Sequence, residues 1–152
     1  MRTRYLRLSY SHITHMSASI SSQIVPFFFI MALFVMVDSL FIFNTRKMYE
    51  NQIVTIQRVA MTIKPIGAIA CYFLLSFGLL YFIILPSQSQ AKMDAVYRAF
   101  WLGLVVYGVY ATTVYAILKK WKPEIAIMDT IWGGILFSSV TWLWLSMRKF
   151  VV

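Results

Sequence analysis

Residues 65–85 read PIGAIACYFLLSFGLLYFIIL and contain no charged side chain. A hydrocarbon core of about 30 Å requires about 20 apolar residues of helix, so this stretch is long enough to cross a bilayer. Pro65 suits the first turn of a helix, where its missing N–H costs nothing, and Pro86 ends the same run. We therefore predict a transmembrane helix over residues 65–85.

The composition of the whole chain is also that of a membrane protein. Of 152 residues, 61% are hydrophobic and 12% are charged. Soluble globular domains average about 45–50% apolar and about 25% charged residues. The net charge of +9 comes from basic residues that stand between long apolar runs, as they do in membrane proteins. The composition thus excludes a soluble globular domain and a disordered chain, and one cysteine, Cys71, excludes an intrachain disulfide framework.

Three further runs are also long and apolar, although each contains one charged residue, and they cover residues 24–43, 97–118 and 125–147. Because lipid leaves no backbone group unpaired, all four runs should be helical. We predict an all-α, polytopic integral membrane protein whose four transmembrane helices pack as a small bundle. The predicted regions are a basic, serine-rich N-terminal arm (1–23), the transmembrane domain (24–147) and a short basic C-terminal tail (148–152).

The connection between the first two runs, residues 44–64, is the longest. Within it Ile53, Ile56, Ala60 and Ile63 recur at spacings of three and four. This spacing puts them on one face of a helix, which favours a short amphipathic helix at the membrane surface. The alternative is a loop that returns to the second run.

Basic residues do not decide the orientation. With four spans, Arg2, Arg4, Arg7, Lys92, Arg98, Arg148 and Lys149 lie on one side, and Arg46, Lys47, Arg58, Lys64, Lys119, Lys120 and Lys122 lie on the other. The second group stands nearer to the span ends and mildly favours its own side as cytoplasmic. We predict that Arg2, Arg4, Arg7, Lys119, Lys120 and Lys122 contact anionic lipid headgroups or protein subunits. Nucleic acid is a poor candidate partner, because no recognition motif accompanies these charges.

Two carboxylates lie inside the predicted spans. Asp38 stands six residues before Asn44 and Asp129 six residues after Pro123, at ends that face the same side. Both acids should therefore lie about 9 Å below one membrane boundary. An ionisable residue within a membrane is a candidate functional residue. We predict a shallow polar pocket formed by Asp38, Asp129, Tyr110, Thr112, Thr113, Tyr115 and Trp132.

Such a pocket has several chemical uses. It could bind a cation, relay protons or recognise a cationic headgroup. Alternatively, each acid hydrogen-bonds a Tyr, Thr or Trp side chain on a neighbouring helix and fixes the packing, and we favour this interpretation. The sequence contains no phosphate-binding loop, nucleophile–base pair or zinc-ligand spacing. It therefore predicts no metal, no cofactor and, on balance, no enzymatic activity.

Several motifs resemble a known family. They are YGVY (107–110), LKKW (118–121) and MDTIWG (128–133), together with Asp38 and Pro86. Over residues 35–144 the chain resembles the predicted membrane protein family called domain of unknown function twenty-one seventy-seven. The resemblance implies a small four-helix membrane protein and brings no established activity or cofactor.

The chain departs from the family pattern at two positions. After the paired tyrosines, where such proteins carry Asp and then Asn, this chain has Ala111 and Val114. The resemblance therefore implies that half of any polar centre is lost. We predict a non-enzymatic membrane component that anchors a larger assembly, such as an organellar complex or a viral internal membrane or capsid. The alternatives are a small carrier or channel that uses Asp38 and Asp129 and, third, an intramembrane lipid-modifying enzyme.

Overall fold

The computed structural model describes the backbone of residues 2–87 and 91–151, and the side chains of residues 23–87 and 91–150. Its helices are α1 (Arg2–Gln57), α2 (Pro65–Leu79), α3 (Lys92–Ile117) and α4 (Pro123–Val151). A π-helical segment, Leu80–Ile84, continues α2. No strand occurs in these described ranges, and the predicted all-α class is confirmed.

Each helix contains a stretch that is long and apolar enough to cross a membrane. These stretches are Gln23–Gln57, Pro65–Ile84, Lys92–Ile117 and Pro123–Phe150. Each of them contains most or all of one predicted run. The prediction of a multi-pass integral membrane protein with four spans is therefore confirmed.

The first helix extends well beyond its apolar run. Residues 44–57 belong to α1, so they are helical but do not form the separate surface helix that we considered. Arg58 has a φ of 56°, a left-handed conformation that an α-helix cannot continue through. The chain after it is irregular, so the predicted apolar positions Ala60 and Ile63 lie outside any helix.

The closest helix packing is between α3 and α4. A Cβ atom added to Gly103 would lie 2.1 Å from the carbonyl oxygen of Gly133, so the two backbones are in contact there. An added Cβ on Gly133 would lie 2.4 Å from the Tyr107 ring. Small residues allow this approach in many membrane helix pairs, where van der Waals contact replaces the hydrophobic effect.

The apolar core lies among all four helices. Its buried members are Ile30, Leu33 and Phe34 of α1, Leu75 and Leu79 of α2, Leu80, Ile83 and Ile84 of the π-helical segment, Ala95 and Ala99 of α3, and Leu136, Phe137, Val140 and Trp144 of α4. The rings of Phe34 and Phe137 meet edge to face at 5.0 Å. Other large apolar side chains, such as Leu40 and Ile69, are exposed, as expected for faces that contact lipid.

Gly103→Ala is expected to destabilise the bundle, because the new methyl group meets backbone atoms of Gly133, which cannot rotate aside. Overpacking of this kind costs about 1–3 kcal/mol. In the matched control, Gly78→Ala, nothing lies within 4 Å of the new Cβ. The control should keep its stability or gain up to about 1 kcal/mol from helix propensity. The melting temperatures of the two variants are compared by thermal unfolding in the same detergent, followed by circular dichroism. Equal melting temperatures would contradict the close backbone contact at Gly103.

Candidate functional site

Asp38 links three helices through its side chain. It lies on α1 and is 9% exposed. Its Oδ2 accepts a hydrogen bond from the Tyr72 hydroxyl of α2 at 2.9 Å, and its Oδ1 accepts one from the Trp132 indole of α4 at 2.8 Å. The Trp132 ring also stacks on Phe41 of α1, with centroids 4.3 Å apart and planes 7° from parallel. The indole is thus held both at its edge and on its face.

Asp129 makes a second connection between α4 and α1. It is 8% exposed and accepts a hydrogen bond from the Tyr49 hydroxyl. Helical side chains lean towards the N-terminus, so Tyr49 reaches back along α1 towards the interior of the bundle. The Tyr107 hydroxyl of α3 lies close enough to interact with the charge of both acids. We call Asp38, Asp129, Tyr49, Tyr72, Tyr107 and Trp132 the carboxylate cluster.

The cluster contains no cationic side chain. Within the described ranges, Asp38 and Asp129 are bonded only by the neutral donors Tyr72, Trp132 and Tyr49. A buried carboxylate is costly unless its oxygens are hydrogen-bonded, and these donors supply the bonds. No group of three His, Cys, Asp or Glu side chains suited to a metal ion occurs among the described residues. The arrangement can therefore hold helices together, or it can take up a proton or a monovalent cation.

Four residues of the predicted pocket lie on the outer side of α3. Tyr110 is 62% exposed and Tyr115 is 49% exposed, although the Tyr110 hydroxyl lies near the Asp129 charge at the edge of the cluster. Thr112 and Thr113 are exposed and donate to carbonyl oxygens one turn earlier in their own helix, at 2.6 and 2.7 Å. The structure thus brings Asp38, Asp129 and Trp132 together and leaves both threonines and Tyr115 apart from them.

The rotation of α3 explains this separation. Gly103, Tyr107 and Ala111 follow one another at intervals of four and therefore share one helix face. The glycine contact turns that face towards α4, and Ala111 is 1% exposed. The hydroxyl residues on the other faces turn outwards as a result.

Sequence reasoning missed three members of the carboxylate cluster: Tyr49, Tyr72 and Tyr107. Tyr49 lies beyond the predicted end of the first span, in a segment assigned to the membrane surface. Tyr72 lies in an uncharged run in which nothing marks one face as polar. Tyr107 carried a usable signal, because it stands one turn after Gly103, and glycines at such positions let a neighbouring helix approach.

Three of the six basic residues predicted to contact lipid or partners lie at the bundle end where α3 joins α4. Lys119, Lys120 and Lys122 are all exposed there. The α1 extension is tied to this turn, because the Gln52 amide donates to the Lys120 carbonyl at 2.5 Å and Gln52 is 4% exposed. The side chains of Arg2, Arg4 and Arg7 lie outside the described residues.

A family profile described as "Predicted membrane protein (DUF2177)" matches residues 23–145. The chain belongs to this family. The DUF2177 match confirms the resemblance over residues 35–144, begins earlier in α1, and contains every member of the carboxylate cluster. No curated protein and no solved structure matches the chain.

Tyr72→Phe removes the hydroxyl that donates to Asp38 and keeps the aromatic ring. We expect the free energy of unfolding to fall by about 0.6 kcal/mol, and by no more than about 1.7, the range measured for hydrogen bonds between membrane helices. The matched control is Tyr81→Phe, which removes a hydroxyl from a side chain that is 56% exposed on the continuation of α2. Reversible unfolding in mixed detergent micelles measures both changes. When Asp38 is already replaced by Asn, Tyr72→Phe should lower the free energy of unfolding by less than it does in the wild type. An equal loss in both backgrounds would show that the Tyr72 hydroxyl does not act through Asp38.

Proposed function

We propose that the chain is a non-enzymatic integral membrane component that anchors a larger assembly, such as an organellar complex or a viral internal membrane or capsid. The observation that carries the proposal is that both buried acids accept hydrogen bonds from side chains of other helices. Asp38 and Asp129 are bonded to side chains of neighbouring helices, so their oxygens hold the bundle together. Polar residues with this role support a structural protein more than a catalyst.

Two hollows in the described part of the molecule support the same function. A groove of about 450 Å³ lies beside Phe41 and Trp132, and a smaller hollow of about 170 Å³ lies beside Gln52 and Lys120. Neither hollow is lined by Asp38 or Asp129. An enzyme that used the acid pair would need a cleft through which its substrate reaches both carboxylates.

The family pattern and the exposed surface add two further arguments. The resemblance implied Asp and Asn at positions where this chain has Ala111, which is buried on the face of α3 turned towards α4, and Val114. After the end of α1, Val59 is 66% exposed and Ile63 is 73% exposed, and each adjoins an exposed basic residue in the sequence, Arg58 or Lys64. Apolar side chains exposed among charges suit contact with another protein.

Photocrosslinking in intact native membranes tests the proposal. A photoreactive amino acid at position Ile63, beside the bundle end, should give a discrete adduct with a second polypeptide that also copurifies without crosslinking. The matched control position is Leu74, which is similarly exposed but lies within the span of α2. This position should give lipid adducts. The anchoring function would be wrong if both positions gave only lipid adducts and self-adducts in every native membrane that contains the chain.

A small carrier or channel is the second candidate function. The specific observation in its favour is the pair of buried carboxylates that have no cationic partner among the described residues. Acidic side chains within spans commonly mark ion or proton pathways. Uptake of a proton or a monovalent cation by the carboxylate cluster would be the central step of such transport.

Flux measurements on reconstituted protein decide between the two functions. Carrier function requires the wild type to move H⁺ or K⁺ across liposomes faster than protein-free liposomes do, and requires Asp38→Asn and Asp129→Asn to lower that flux at least tenfold. Glu124→Gln is the matched control, because Glu124 is an exposed carboxylate in the first turn of α4. Anchoring function predicts equal, background flux for all four proteins. Circular dichroism of the reconstituted variants confirms that each is folded.

A further inference from the structure

The smaller hollow lies where the α1 extension meets the turn between α3 and α4. It has a volume of about 170 Å³. Its polar walls are Asn51, Gln52 and Thr55 of α1 and Lys120 and Lys122 of the turn. Met48 and Ile125 add apolar surface. The anchoring function does not use this hollow, which we call the headgroup pocket.

The walls of the headgroup pocket are fixed relative to each other. Gln52 is 4% exposed, and its amide donates to the Lys120 carbonyl at 2.5 Å. This bond holds the turn against α1 at the hollow. A site whose walls are already in place loses less conformational entropy when a ligand binds.

The charge of the headgroup pocket selects an anion. Lys120 and Lys122 are exposed, and neither forms an ion pair within the described ranges. Asn51 lines the same hollow and carries a neutral amide that can donate a hydrogen bond. Ammonium and amide N–H groups that converge on one space are suited to phosphate oxygens.

The position of the pocket indicates that its ligand is the phosphate of a lipid. Lys122 directly precedes Pro123, where the fourth span begins, so the pocket lies at the level of the lipid headgroups. Met48, which is half-buried at the wall of the hollow, offers apolar contact to the glycerol end of a lipid. We propose that the headgroup pocket binds the phosphate of an anionic glycerophospholipid, with Lys120 and Lys122 paired to the phosphate and Asn51 donating to it. This inference goes beyond the anchoring function and does not depend on it.

Native mass spectrometry of the full chain in detergent tests the proposal, with phosphatidylglycerol, phosphatidylcholine and inorganic phosphate as probes. Lys120→Gln/Lys122→Gln should weaken phosphatidylglycerol binding roughly tenfold or more, since each basic residue near an anionic headgroup contributes about a fivefold factor. The matched control is Arg148→Gln/Lys149→Gln, which removes the same charge from the last turn of α4 at the other end of the bundle. Its binding should change less than about threefold. Phosphatidylcholine should bind more weakly than phosphatidylglycerol to the wild type.

A neutral variant separates a shaped pocket from diffuse attraction. Asn51→Leu replaces the amide with an apolar group without changing the charge, so the loss of its hydrogen bond to the phosphate should also weaken phosphatidylglycerol binding about fivefold or more. The proposal would be overturned if both double variants lost affinity equally, or if Asn51→Leu bound as the wild type does. Displacement of the lipid by millimolar inorganic phosphate would assign the pocket to a soluble anion and also overturn it. Circular dichroism and the melting temperature show whether each variant is folded.

Discussion

A carboxylate inside a bilayer must be hydrogen-bonded by its own protein, because hydrocarbon offers no partner. In this chain that requirement organises the bundle. Asp38 attracts one donor from α2 and one from α4, so a single side chain sets the positions of two helices relative to α1. Asp129 extends the arrangement towards the end of α1 through Tyr49. Apolar contacts alone give little directional preference between helices in lipid, so these bonds specify which faces meet.

The helix α3 is positioned by a different constraint. It reaches α4 through backbone contact at Gly103 and Gly133, and this contact presents Tyr107 to the interior. Two kinds of packing therefore coexist. Hydrogen bonds to Asp38 join α1, α2 and α4, while α3 and α4 pack backbone to backbone because both contact residues are glycines. The carboxylate cluster lies where both meet. A change at the glycine contact would also move the tyrosine that lies near both acids.

The number of spans and the two acids that matter were predictable, because a bilayer requires long apolar runs and makes any charge within them conspicuous. Trp132 was predictable because it stands three residues, about one helical turn, after Asp129. Helix rotation was not, because a run that is apolar all round marks no face for the interior. Thr112 and Thr113 illustrate this, since each hydroxyl is satisfied by its own helix and gives no sign of direction. The end of α1 was also hidden, because it depends on contacts with the distant α3–α4 turn.

The length of α1 has a consequence for how the ends of the bundle communicate. Its candidate span, Gln23–Gln57, contains 35 residues, which corresponds to about 52 Å of helix. The apolar run 24–43 alone is long enough for a hydrocarbon core of about 30 Å. The rest of α1 continues to the α3–α4 turn, where the Gln52 amide bonds the Lys120 carbonyl. A displacement of that turn is therefore transmitted along one continuous helix to Asp38 and the helices bonded to it.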